Sequence, residues 1–183
     1  MIVLSTIAAA AALLLVASGA DHLLDPTALA RALAEQGLER VLAARSTARA
    51  VAVAELLVGT SVLAALLLGT PVLRWVLLAQ GLLYLGFLAS LLVRYRRGDR
   101  SDCGCSNRPS LVGPAGMARA AGLAVISGLA AVTYPAVALP ALDLTGVGIA
   151  LLLAGGAVLT VLLHSLPAAI DGVPPSALQR GAG

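Results

Sequence analysis

The chain has 183 residues, of which 60% are hydrophobic and only 11% charged, and its mean hydropathy is +0.98. Soluble domains average about 25% charged residues, so this composition excludes an ordinary water-soluble globule. The net charge is +3, but all 12 basic residues are Arg, they lie mostly in loops beside apolar runs, and aromatics make up 3% of the chain. That is too few for base-stacking platforms, so no nucleic-acid partner is expected.

Stretches without Asp, Glu or Arg cover 1–20, 56–73, 75–93, 120–142 and 144–170. About 20 apolar residues cross the ~30 Å hydrocarbon core of a bilayer. The pattern therefore predicts an all-α, single-domain membrane bundle of five transmembrane helices, with the lipid bilayer as its main partner. The first helix is expected over 2–20. Ser18-Gly19-Ala20 before Asp21 has the look of a signal-peptide cleavage site. The start of the chain has no basic residue, however, and its apolar run exceeds the about 7–15 residues of a signal core, so an uncleaved helix is expected.

Residues 25–46 read as an interfacial segment. Asp25 can cap a helix and Pro26 suits its first position. Beyond them Leu29, Leu33, Leu38 and Leu42 alternate with Arg31, Glu35, Glu39, Arg40 and Arg45, the pattern of short amphipathic helices lying in the membrane interface. The second span is expected over 47–68, and Gly69-Thr70-Pro71 forms a tight turn to a third over 72–93. A basic loop from Arg94 to Arg100 leads to Ser101-Asp102-Cys103-Gly104-Cys105-Ser106-Asn107-Arg108-Pro109. The fourth span is expected over 116–134, stopped by Pro135, and the fifth over 145–164 after a turn marked by Pro140 and Asp143. The tail 171–183 is expected to be disordered. Ala8/Ala12 and Ala50/Ala54 have the four-residue spacing of close-packed membrane helices.

Five helices place 21–46, 94–116 and 165–183 on one side of the membrane. The N-terminus and the turns at 69–71 and 135–144 lie on the other. Every arginine but Arg74 falls nearer the first side, which should be cytoplasmic by the positive-inside rule, with the N-terminus outside.

The only two cysteines are Cys103 and Cys105. Set one residue apart in a polar loop, they are not packing residues. Gly104 lets the backbone bend so that the sulfurs converge, and the pair can shuttle between dithiol and a strained disulfide. Arg100 and Arg108 favour thiolate, and Asp102 opposes them. Two alternatives stay open: a soft-metal site for Cu(I) or Zn, to which His22 or His164 would add ligands, and two inert loop thiols. Glu55 sits inside the second span. A charge at the centre of a membrane helix costs about 2.5–3.5 kcal/mol on insertion scales, so such a residue is expected to face the bundle with a partner or a proton-handling role. Arg119, opening the fourth span from the same side, is the expected partner, and the pair could equally be purely structural. His22 and His164 end the first and fifth spans; each is readable as an ordinary interfacial residue, though Asp21 could orient His22. Helix counting gathers Asp21, His22, Glu55, Cys103, Cys105, Arg119 and His164 toward one membrane boundary.

Four of these features, in order, resemble the MauE proteins of methylamine utilisation, within the broader DoxX-like membrane superfamily. They are Ser18-Gly19-Ala20 running into Leu24-Asp25-Pro26, Glu55-Leu56-Leu57-Val58-Gly59 as an intramembrane E-L-x-x-G, Arg97-Gly98 followed by Asp102-Cys103-Gly104-Cys105, and Arg119 opening the next helix. The resemblance covers residues 1–135, and its CGC loop is the specific part. Ser106-Asn107 stands where the family usually has an aromatic residue and a glycine, and the family core is four helices, which makes the fifth here an addition.

The resemblance implies thiol–disulfide chemistry for exported proteins. Cys103 and Cys105 would then be the redox pair, Glu55 and Arg119 would support or protonate it, and a thioredoxin-like protein, an exported enzyme subunit or a membrane quinone would be the electron partner. An exported substrate and a cytoplasmic loop are reconciled if the loop dips into the membrane or if electrons enter from the cytoplasm. A metal-handling protein and a non-catalytic scaffold for a partner enzyme are the competing readings. The arginine asymmetry makes a direct prediction: a reporter fused after Arg180 is active in the cytoplasm and one fused before Met1 outside it. A C-terminal reporter active only outside refutes this topology.

Overall fold

The computed structural model describes residues 2–35, 44–98, 111–134, 136–137 and 146–171. They form six helices: α1 (Ile2–Leu24), α2 (Thr27–Glu35), α3 (Ala44–Leu68), α4 (Leu73–Arg96), α5 (Pro114–Val132) and α6 (Gly146–Asp171). All but α2 are long and apolar enough to cross a membrane. The chain is thus an all-α bundle of five membrane-spanning helices. Leu57, Leu82, Val125, Leu151 and Val161 are among the large apolar side chains that point outward, as lipid-facing positions do.

Helix α2 is a short helix between the first two spans, within the segment expected to be interfacial. The hydroxyl and the backbone N–H of Thr27 both donate to Asp25 Oδ1, at 2.6 and 3.0 Å. These bonds cap the helix start and hold the Asp25 carboxyl below the usual carboxylate range. Residues 36–43, the rest of the expected interfacial segment, lie outside the described residues.

Antiparallel succession gives the bundle two faces. The end of α1, α2, the start of α3, the end of α4, the start of α5 and the end of α6 share one, here called the loop face, because residues 99–110 join α4 to α5 there. The 69–72 turn and the start of α6 mark the opposite face. Gly69 makes that turn possible, with φ at 65° and its N–H bonded to the Ala65 carbonyl at 2.9 Å. Arg74 and Trp75 follow, the guanidinium 5.9 Å from the indole ring centre. Trp75 is 67% exposed, as an aromatic anchor at the membrane–water interface should be. Residues 138–145, including Pro140 and Asp143, are outside the described set, as is Pro135.

Helices α1 and α3 pack most intimately. Lipid tails are as apolar as leucine, so membrane helices associate through close van der Waals contact and interhelical hydrogen bonds. Ala8 and Ala12 line the seam from α1, and Ala48, Ala52 and Val62 from α3; all five are fully buried. A Cβ at Gly19 would stand 2.8 Å from the Ala52 carbonyl oxygen, and one at Gly59 2.7 Å from the Ala12 carbonyl oxygen. Neither position has room for any side chain. Ala50 and Ala54, expected as a packing pair, do not make this seam: Ala50 is exposed and Ala54 half-buried. The inward face of α3 is set by Ala48, Ala52, Glu55, Gly59 and Val62, and a shift of two residues rotates a side chain about 200° around a helix.

The other helices are fastened by side chains bonding across the bundle. Tyr84 of α4 donates to the Ala11 carbonyl at 2.7 Å, and Thr160 of α6 to the Ala10 carbonyl at 3.1 Å. Gln80 donates to Ser127 of α5 at 2.9 Å. Ser5 reaches the Val137 carbonyl beyond α5 at 2.7 Å. Two apolar layers fill the spaces between, one built on Val62, Leu66, Leu73 and Leu77, the other on Leu14, Leu15, Tyr84 and Leu123.

Two helices run four or more residues beyond their expected ends. Helix α1 continues to Leu24, because Asp21 and His22 remain within its last turns instead of ending it. Helix α6 continues past His164 to Asp171, with Pro167 inside it. The tail expected from 171 therefore begins one residue later at the earliest, and residues 172–183 are outside the described set.

The seam yields a prediction. Gly59→Ala lowers stability by about 1–3 kcal/mol through overpacking, read as a lower melting temperature in detergent. Gly122→Ala, where a Cβ would meet nothing within 4 Å, leaves it unchanged or raises it. Equal melting temperatures for the two variants would contradict the close approach of α1 and α3.

Candidate functional site

Ser18 and His22 lie one turn apart on α1, so their side chains share a face. Gly19 between them brings α3 so near that its own Cβ would stand 3.0 Å from Glu55 Cβ. This approach closes lipid and water away from Glu55, which is 1% exposed. Glu55 lies about 16 Å along α3 from Ala44 at 1.5 Å per residue, well inside the span. Ser18 Oγ donates to Glu55 Oε1 at 3.2 Å. Glu55 Oε2 has no hydrogen-bond partner among the described residues. His22 is also 1% exposed, and its Nδ1 is likewise unpartnered, so Asp21 does not orient the ring through that nitrogen. Two buried polar atoms, one on a carboxyl and one on an imidazole, are thus left with unused bonding capacity in neighbouring turns of the same seam. A group in that condition is uncommon in a folded interior, where nearly all buried polar atoms are bonded.

Arg119 does not pair with Glu55. Its Nη1 donates instead to the Leu163 carbonyl at 3.0 Å, and no ion pair joins Arg119 to Glu55 among the described residues. The reason lies four residues along α6. Pro167 has no N–H and cannot donate to the carbonyl at position 163, which would be stranded in the membrane interior. The Arg119 guanidinium takes the place of the missing donor, and Arg119 ties α5 to α6. Tyr84 lies within electrostatic range of both Glu55 and Arg119.

Asp171 makes a second tie at the same ends. The N–H groups of Ala115 and Gly116 donate to its Oδ1 and Oδ2, each at 3.1 Å. Helix α5 begins at Gly113-Pro114 with no side-chain cap of its own, so α6 caps it from across the bundle. A Cβ at Gly113 would stand 2.3 Å from the Asp171 carboxyl carbon, which is why a glycine precedes the helix. Sequence reasoning assigned Asp171 to a loose tail and overlooked both this cap and Ser18. An α5 start without Ser, Thr, Asp or Asn was the available signal that a cap must come from elsewhere. Arg94, in the last turn of α4, is also buried, at 2% exposure, although sequence reasoning placed it in the basic loop.

Cys103 and Cys105, with Arg100, Asp102 and Arg108, lie outside the described residues. What the structure gives is their attachment: α4 ends at Arg96, Gly98 turns with φ at 72°, and α5 starts at Pro114 under the Asp171 cap. Met117 packs with Leu91 and Val112 beside these ends. His164 is half-buried on α6. No group of three His, Cys, Asp or Glu is placed to hold a metal ion among the described residues.

The family described as methylamine utilisation protein MauE matches residues 1–134. The chain belongs to this family, and it is a multi-pass membrane protein of a type linked to methylamine utilisation. No curated protein and no solved structure matches it. The matched span ends shortly after α5, so α6 is outside it, although Arg119 and Asp171 make α6 integral to the bundle.

The Arg119 contact can be checked with a double-mutant cycle. Arg119→Met leaves the Leu163 carbonyl unsatisfied and lowers stability by about 1–3 kcal/mol. In a Pro167→Ala background the restored backbone N–H serves that carbonyl, and the same substitution costs much less. An equal cost in both backgrounds would show that Arg119 does not substitute for the missing donor.

Proposed function

We propose that this MauE-family protein is a membrane thiol-redox protein in which Cys103 and Cys105 are the redox pair. The observation that carries the reading is the CGC motif in the segment joining α4 to α5, in a chain whose family match runs through that segment. The arrangement of the loop face supports it. Both helices flanking the motif are pinned there, α5 by Asp171 and Arg119, and α4 by its packing against α5. The buried carboxyl of Glu55 and the imidazole of His22 belong to helices that open on the same face. Neither cysteine has a second thiol elsewhere in the chain to pair with.

In this reading two thiols give one disulfide, releasing two protons and two electrons. The electrons pass to a two-electron acceptor, either a membrane quinone or the disulfide of a thioredoxin-like protein. In the reverse direction the same pair reduces a disulfide, such as one in an exported enzyme subunit. Glu55 handles a proton near the site, and Arg119 acts through position by holding α5. The loop face is cytoplasmic in this proposal, following the arginines.

Thiol trapping in intact cells tests the reading and its sidedness together. Cys103 and Cys105 are expected to cycle between two thiols and one intramolecular disulfide, with the loop labelled only by membrane-permeant reagents. Cys103→Ser or Cys105→Ser is expected to trap a mixed disulfide with the natural partner, because the resolving thiol is gone; the adduct's mass identifies that partner. Two slow-reacting thiols in every redox buffer, with no adduct in either variant, overturn the proposal. Stoichiometric Cu(I) or Zn on the purified reduced protein would then favour a metal site.

A further inference from the structure

We propose that Glu55, Ser18 and His22 form a proton-binding site inside the bundle, in which a neutral Glu55 carboxyl holds a proton that His22 Nδ1 accepts and passes toward the loop face. This site goes beyond the thiol reading and exists whether or not the cysteines react.

The argument begins with charge. Glu55 is 1% exposed, and its one hydrogen bond among the described residues comes from a hydroxyl. An ionised carboxylate buried without a cation or further donors is strongly disfavoured, and such a group neutralises. Arg119, the cation expected to pair with it, donates to the Leu163 carbonyl instead. A neutral carboxyl then has a proton to donate, and Oε2 has no acceptor.

His22 supplies the complement. An imidazole carrying its proton on Nε2 presents Nδ1 as an acceptor, and that atom is unpartnered and buried. His22 lies one turn beyond Ser18 toward the end of α1, about 6 Å nearer the loop face. Asp21 beside it is half-buried, so the imidazole stands between the buried acid and the membrane boundary. The charged and titratable groups on the helices around Glu55 include Asp21 and His22 on α1, Tyr84 and the buried Arg94 on α4, Arg119 on α5 and the half-buried His164 on α6. Tyr84 spends its hydroxyl proton on the Ala11 carbonyl, while Arg45 and Arg49 on α3 are exposed. Among the described residues, His22 is a base with a buried, unpartnered nitrogen one turn from the serine that holds Glu55. Glu55 Oε2 and His22 Nδ1 are not in direct hydrogen-bond contact, so the step is a proton transfer through one intervening water molecule: the Glu55 O–H bond breaks as that water takes the proton, the water gives one to His22 Nδ1, and a proton leaves Nε2 toward the loop face.

Infrared spectroscopy of the full-length protein in nanodiscs tests this. At neutral pH the wild type is expected to show a protonated-carboxyl stretching band that shifts in D2O and is absent in Glu55→Gln. Should that variant not fold, 13C-glutamate in Glu35→Gln/Glu39→Gln assigns the band, because the chain has no glutamates besides Glu35, Glu39 and Glu55. His22→Phe is expected to slow deuterium exchange of that band by about a hundredfold, within the usual contribution of a positioned acid–base group. A folded wild type without the band at neutral pH, or unchanged exchange in His22→Phe, overturns the proposal. The Cys103→Ser/Cys105→Ser variant separates the two readings. The band persists there if the proton site is real, even if the thiols prove inert; its absence from a protein whose thiols cycle normally overturns the proton site alone.

Discussion

The contact on which the rest depends is the close approach of α1 and α3 at Gly19 and Gly59. At both points the backbone of one helix meets the Cα of the other, with no space for a methyl group. In a bilayer such contact is itself a main source of helix association, since apolar side chains gain little by leaving lipid. It also makes an enclosed compartment. Glu55 and His22 are buried because these helices touch, and any loosening of the seam would let water or lipid reach them. Packing and chemistry therefore answer to the same two glycines.

Once that seam is set, the other helices are located by polar atoms that have to be satisfied without water. Tyr84 and Thr160 bond to the adjacent carbonyls of Ala11 and Ala10 on α1, using their spare lone pairs. Pro167 creates a stranded carbonyl that only a long donor from another helix can reach, and Arg119 supplies it. The start of α5 leaves free N–H groups, and Asp171 accepts two of them. The last two ties both join α5 to α6 near the segment that carries the cysteines. A helix outside the family's matched span has thus become the support for one end of the segment that carries Cys103 and Cys105.

The polarity of the bundle is uneven. Toward the face of the 69–72 turn the interior is apolar, with Ser5, Gln80 and Ser127 as its buried polar side chains among the described residues. Toward the loop face lie Ser18, His22, Glu55, Arg94, Arg119 and Asp171. Groups that can carry charge are concentrated toward the loop face, and among the described residues Arg74 is the charged side chain at the other.

The sequence by itself determined the architecture. Long runs without charge have no stable arrangement but helices in lipid, and Glu55 inside such a run had to face inward, because a carboxyl in hydrocarbon is too costly. The CGC motif and the order of the surrounding residues were likewise legible, since they are local in the chain. Hydrogen-bond partners were not. Which of several alanine pairs formed the seam depended on the rotation of α3 about its axis, which only contact with α1 sets. Arg119 read as the partner of Glu55 because opposite charges at similar depth attract. Tertiary structure decided otherwise, because a proline on α6 had stranded a carbonyl within reach of the guanidinium. Asp171 looked like the first residue of a tail until α5 was found beside it without a cap. In the last two cases the deciding fact was an unsatisfied backbone group on another helix, and such vacancies become visible only when the helices are packed.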